Sequence, residues 1–87
     1  MKYNQSFLDK LEGILDEAGY VYRYERGNFQ SGYCVLEQKK VVVLNKFLGT
    51  EGRINTLIEL LPVLEIPFEQ LSDASKKIYT EVVPVAV

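Results

Sequence analysis

Hydrophobic residues near the start of the chain recur at the spacing of an α-helix. The apolar positions lie three or four residues apart, on one helical face, and are Phe7, Leu8, Leu11, Ile14, Leu15 and Ala18. Gly19 follows them, and glycine commonly ends a helix because it adopts the left-handed conformation without strain. The pattern predicts an amphipathic helix over Gln5–Ala18.

The pattern then changes to one that is typical of strands. Tyrosines alternate with other residues over Tyr20–Glu25, and Lys40–Asn45 contains a run of apolar, mostly β-branched residues. This run is apolar at successive positions, as expected of a strand that is covered on both faces. With Gly32–Glu37 between them, these segments predict a three-stranded antiparallel sheet.

Helical spacing returns after Gly49. The apolar positions of this segment are Ile54, Leu57, Ile58 and Leu61. They predict a helix over Glu51–Leu61 that ends before Pro62, because proline lacks the amide hydrogen that a helix needs. Pro67 suits the first turn of a third helix, over Phe68–Tyr79. The poor helix formers around Ser72 favour a break there.

These elements predict one α+β domain over residues 1–87, in the order helix, three strands, two helices. The apolar tail at 80–87 is expected either to be flexible or to dock, as an edge strand or on a neighbouring molecule. No apolar run approaches the roughly 20 residues that span a bilayer, and the start of the chain lacks a signal-peptide pattern. With Cys34 as the single cysteine, we expect a cytoplasmic protein and no membrane partner.

The composition excludes several kinds of catalytic site. The chain contains no histidine, so it has neither a Ser-His-Asp nor a Cys-His arrangement, and no imidazole can bind a metal. The glycine-rich patterns that bind phosphates are also absent. We therefore predict no catalytic residue, no metal ligand and no cofactor.

The first predicted strand supplies the candidate contact surface. Tyr20, Tyr22 and Tyr24 point to one face, with Arg23 between them and Phe29 in the loop that follows. The tyrosines either form an aromatic platform for stacking a ligand, or cover the edge of the core with their rings while their hydroxyls reach water. Phe29 either inserts into the core or is an exposed contact.

Basic residues outnumber acidic ones in the middle of the chain, although the net charge is −2. These basic residues are Arg23, Arg26, Lys39, Lys40, Lys46 and Arg53. The overall charge disfavours nucleic-acid binding, and a solvated surface explains the cluster better than a phosphate-binding patch.

The middle of the chain resembles a known enzyme family. The residues that carry the resemblance are Gly32, Cys34, Val43, Leu44, Asn45 and Arg53, followed by the helix Arg-x-Asn-Thr-Leu-Ile-Glu-Leu-Leu. This order is similar to the front part of ImmA/IrrE-type zinc metallopeptidase domains, and it covers about two-thirds of the chain. The resemblance places Glu59 at the general base, but Ile58 and Pro62 at the two zinc-binding histidines, which implies that the activity is absent. The chain is also similar to short bacterial proteins of unknown function with the same Gly-Tyr-Cys strand.

Two hypotheses about function follow. The first is a non-enzymatic cytoplasmic interaction or structural domain, which binds another protein or forms a homo-oligomer through the tail or the tyrosine strand. The alternative is a small-ligand binder, or an enzyme that uses carboxylate and tyrosine groups without a histidine-ligated metal.

Overall fold

A computed structural model describes residues 3–26, 33–36 and 40–83 of the protein. The helices and strands, in chain order, are α1 (Gln5–Glu17), β1 (Val21–Glu25), β2 (Tyr33–Leu36), β3 (Val41–Asn45), α2 (Thr50–Leu60) and α3 (Asp73–Val82). Short 3-10 turns at Leu61–Val63 and Phe68–Gln70 lie between α2 and α3. The mixed α+β character predicted from the sequence is confirmed.

Helix α1 begins and ends where local chemistry favours it. The side chain of Asn4 accepts a hydrogen bond from the amide of Phe7 at 3.0 Å, which satisfies one of the free amides of the first turn. At the other end Gly19 adopts a φ of +83°, and the amide of Tyr20 donates to the carbonyl of Leu15 at 2.9 Å. The chain changes direction at Gly19 and enters β1 directly after this turn.

The sheet is mixed, so the predicted three-stranded antiparallel sheet is wrong. The strand order is β1-β3-β2, with β1 parallel to β3 and β2 antiparallel to β3. The parallel pair runs in register from Val21↔Val41 to Glu25↔Asn45. The prediction assumed that consecutive strands are neighbours, whereas β3 lies between β1 and β2.

Strand β3 lies at the centre of the sheet and has buried residues on both of its faces. Val42, Val43 and Leu44 are all buried, and a central strand can form hydrogen bonds along both of its edges.

The third helix begins later than predicted. Phe68–Gln70 forms a 3-10 turn, Leu71 is extended, and α3 starts at Asp73 with Ser72 as its N-cap. The Ser72 side chain accepts a hydrogen bond from the amide of Ser75 at 3.2 Å, which explains the break predicted at this serine. The helix continues through Val82, so the first residues of the predicted tail at 80–87 are helical, and 84–87 lie outside the described residues.

The core lies on one side of the sheet, under the helices. Val42 and Leu44 of β3 belong to a single cluster of buried hydrophobic residues from α1, α2, α3 and the segments that connect them. Tyr22 and Tyr24 pack against that cluster from β1. The residues of β1 that alternate with the tyrosines are exposed on the opposite face, which makes β1 the boundary between core and surface.

Candidate functional site

Tyr20, just before β1, and Tyr22 and Tyr24 of β1 lie on the covered side of the sheet. Tyr20 is only 8% exposed, and its hydroxyl accepts a hydrogen bond from the amide of Glu65 at 3.0 Å. Tyr22 and Tyr24 are half-buried, and their rings meet edge to face with centroids 6.3 Å apart. Tyr20 is therefore part of the core, and the other two tyrosines present only part of their rings to solvent.

Tyr24 lies between a negatively charged and a positively charged side chain. Its hydroxyl donates to the Glu12 carboxylate, and the guanidinium carbon of Arg53 lies 4.1 Å from the ring centroid. Burial, and then the hydrogen bond and charge of Glu12, raise the pKa of Tyr24 far above its ordinary value, although Arg53 opposes this shift. The Tyr24 hydroxyl is thus held neutral, as a hydrogen-bond donor.

Arg53 joins the end of the sheet to the start of α2. Its Nε donates to the carbonyl of Leu48 at 2.9 Å and its Nη2 donates to the carbonyl of Lys46 at 3.2 Å. These two bonds hold the guanidinium plane over Tyr24, where the negative face of the ring attracts it. The sequence did not reveal the contact between Arg53 and Tyr24, because the two residues are distant along the chain.

Acidic residues of α1 lie along the β1 side of the domain. Burial is the main cause that raises the pKa of Tyr22, followed by the negative charges of Glu12, Asp16 and Asp9. These three residues are spaced three and four apart, so they form one stripe along α1. The side of the domain that contains Tyr22 therefore has a negative electrostatic potential.

The opposite face of β1 carries two opposite charges beside an exposed valine. Val21 is 55% exposed, and Arg23 and Glu25 form an ion pair with Nε and Oε2 3.2 Å apart. Both side chains are about half exposed, so water and salt screen the pair, and it contributes little to the stability of the fold.

The outer edge of β1 lies at the end of the strand order. The amide of Val21 donates to the carbonyl of Lys40, and the carbonyl of Glu25 accepts from the amide of Lys46, both at 2.9 Å. Backbone groups alternate in direction along a strand, so Tyr22 and Tyr24 direct their amides and carbonyls away from β3. Within the ranges 3–26, 33–36 and 40–83, no strand pairs with this edge.

The predicted contact residues are only partly brought together. Tyr22, Tyr24 and Arg23 are adjacent on β1, but the tyrosines and the arginine lie on opposite faces of the sheet. Tyr20 is buried, and Phe29 lies outside the described residues. Phe47, which the sequence analysis did not select, is 72% exposed and has the guanidinium carbon of Arg26 5.7 Å from its ring centroid.

A second surface feature is a groove of about 460 Å³ between α1 and α3. Its lining includes Gly13 and Glu17 of α1, with Ser72, Ser75 and Ile78 from the other side. The Glu17 carboxylate accepts hydrogen bonds from the Ser72 amide at 2.6 Å, the Ser75 hydroxyl at 2.7 Å and the Ser72 hydroxyl at 3.1 Å. The polar groups at this end of the groove therefore already bind one another.

Other findings bear on the remaining candidate chemistry. Among the described residues, no group of three or more Cys, Asp or Glu side chains is placed to hold a metal ion. Glu59, which the metallopeptidase resemblance places at the general base, is exposed on α2, and Ile58 is half-buried beside it. Across the same part of the chain, no helix is both long and apolar enough to cross a bilayer.

Comparisons with known proteins add no relative. No protein family matches the chain, and neither the curated proteins nor the solved structures contain a match. The resemblance to metallopeptidase domains therefore stays a prediction.

Proposed function

We propose that this protein is a non-enzymatic cytoplasmic interaction domain that associates with a second copy of itself along the outer edge of β1. The single observation that carries the proposal is the outward direction of the Tyr22 and Tyr24 backbone groups at the end of the sheet. Such an edge is a template for pairing with another strand. The single cysteine of the sequence supports the cytoplasmic location.

The side chains of β1 support a second copy as the partner. Arg23 and Glu25 are opposite charges two residues apart on one face of the strand. An antiparallel neighbour with the same sequence can place a cation opposite an anion twice, once on each side of a two-fold axis. The charges along the outer edge of β1 therefore complement those of the same edge in a second copy of the chain.

A proline substitution tests the role of the backbone edge. Tyr22→Pro removes the outward amide, whereas Tyr22→Ala removes the same ring but keeps the amide. We expect the wild type and Tyr22→Ala to form dimers in sedimentation equilibrium, and Tyr22→Pro to remain monomeric at the same concentrations. Circular dichroism checks that both variants are folded. A monomeric wild type, or a dimer that survives the proline, would contradict the proposal.

A small-ligand binder is the second candidate, and the groove between α1 and α3 favours it. A volume of about 460 Å³ lies within the range of small-molecule sites, and Lys10, Lys77 and Glu81 add charges to its lining. Native mass spectrometry of the untagged protein separates the two candidates. A dimer without added mass supports the interaction domain, and a monomer that carries a stoichiometric small molecule supports the binder.

A further inference from the structure

We infer that two copies of the chain pair antiparallel along β1 in the register that places Tyr24 opposite Tyr24 of the second copy. The inference rests on the proposed self-association and adds its geometry. In this register Arg23 of each copy lies opposite the other copy's Glu25, and Tyr22 lies opposite Arg26. The two three-stranded sheets then form one continuous sheet of six strands.

The direction of the backbone groups limits the possible registers. Antiparallel partners exchange two hydrogen bonds at every second pair, and only residues whose amide and carbonyl point outward can form those pairs. On β1 these residues are Tyr22 and Tyr24, with Arg26 next in the alternation. The two-fold axis of a dimer can therefore pass through Tyr22, Arg23, Tyr24 or Glu25 of β1.

Three of these four registers are disfavoured. An axis at Tyr22 would require the amide of Tyr20, which already donates to the carbonyl of Leu15 at 2.9 Å. An axis at Arg23 would place two guanidinium groups directly opposite each other, and an axis at Glu25 would do the same with two carboxylates. Both like-charge pairs would lie at a position without hydrogen bonds, where side chains are closest. The axis at Tyr24 avoids both problems and replaces the repulsion with two ion pairs.

Charges on the covered side of the sheet favour the same register. Tyr22 lies in the negative potential of Asp9, Glu12 and Asp16 on α1. With the axis at Tyr24, the other copy's Arg26 arrives beside Tyr22 and brings a positive charge to that stripe. Arg26 is exposed, so its side chain can move to the new position.

Exchange of the two charges tests the register. Arg23→Glu and Glu25→Arg each place like charges opposite one another, so we expect each to weaken the dimer at least roughly tenfold, which corresponds to about 1.4 kcal/mol. The double variant R23E/E25R restores opposite charges and should recover most of the affinity. An equimolar mixture of the two single variants should form heterodimers. Sedimentation equilibrium measures all four samples.

Matched controls carry the same charge changes elsewhere. Lys77→Glu on α3 and Glu59→Arg on α2 alter exposed residues, and we expect a change in dimer affinity of less than roughly twofold. If the wild type dimerises but the single variants behave like these controls, the register is wrong and the proposed self-association stands. A wild type that is monomeric at every concentration overturns the proposed function itself.

Amide hydrogen exchange gives a second measurement that needs no variant. In the inferred register the amides of Tyr22, Tyr24 and Arg26 all become bonded on association, so their protection should rise together with protein concentration. An axis at Arg23 would protect Tyr22 and Tyr24 and place Arg26 opposite Tyr20, which lies before the start of β1. Protection of the first two without the third would therefore overturn the inference.

Discussion

Tyr24 is the residue at which sequence and structure together give the most specific result. Its place in an alternating strand predicted that it would face the same way as Tyr20 and Tyr22, and the alternation is present. The sequence could not show that Glu12 accepts its hydrogen bond or that Arg53 lies over its ring, because these contacts join α1, β1 and α2. Contacts between distant segments depend on how the elements pack, which periodicity alone does not determine.

Loss of the Tyr24 hydroxyl should change how stability depends on alkaline pH. The raised pKa of Tyr24 means that the folded chain holds this proton more tightly than the unfolded chain, whose tyrosines titrate near about pH 10. The stabilisation is therefore complete below about pH 10 and is lost as the pH rises further. Tyr24→Phe should cost about 1 kcal/mol near neutral pH and lose stability less steeply above about pH 10.

Urea unfolding at about pH 8 and about pH 11 measures this difference. Tyr3→Phe is the matched control, because Tyr3 is exposed near the start of the chain. Equal alkaline losses in the wild type and in Tyr24→Phe would show that the Tyr24 proton does not contribute.

At the scale of the elements, a single carboxylate links the end of α1 to the start of α3. Glu17 lies in the last turn of α1 and accepts hydrogen bonds from the backbone and side chain of Ser72, the N-cap of α3. A carboxylate at this position also interacts favourably with the positive end of the helix. The amide of Ser72, and then the hydroxyl of Ser75, lower the pKa of Glu17.

Glu17→Gln should destabilise the fold by about 1 kcal/mol near neutral pH, because it removes a charged acceptor from the cap. The lowered pKa gives a stabilisation that is present above the ordinary value of 4.5 and is lost as the pH falls through the lower folded value. The difference in unfolding free energy between wild type and Glu17→Gln should therefore shrink as the pH falls below 4.5. Chemical unfolding at several pH values measures it, with Glu59→Gln on α2 as the control.

The elements differ in how well the sequence predicts them. Helix α1 and the break at Ser72 follow from local signals, namely an apolar stripe, a glycine and a capping serine. The order of the strands in the sheet, by contrast, depends on contacts between segments that are distant along the chain. The apolar run of β3 predicted a buried strand, but the sequence did not reveal that β3 lies between β1 and β2.

At the scale of the whole molecule, one core joins every helix to the sheet. Leu11 of α1 is fully buried in the same cluster as residues of α2, α3 and β3. Leu11→Ala should cost about 2–5 kcal/mol, a large part of the roughly 5–15 kcal/mol that stabilises a typical domain. Val63→Ala is the control, because Val63 is 66% exposed and should change stability by less than about 0.5 kcal/mol. Thermal and urea unfolding compare the two variants, and a similar loss in both would contradict a single shared core.

The parallel pairing of β1 with β3 has a consequence for the chain as it is being made. Val21 pairs with Val41, so β1 leaves the ribosome well before the strand that completes it. Until β3 emerges, both edges of β1 are unsatisfied, and a neighbouring nascent chain on the same messenger RNA presents an identical strand. If the chain associates through β1 as proposed, folding within one chain and assembly between two chains compete for this strand during translation.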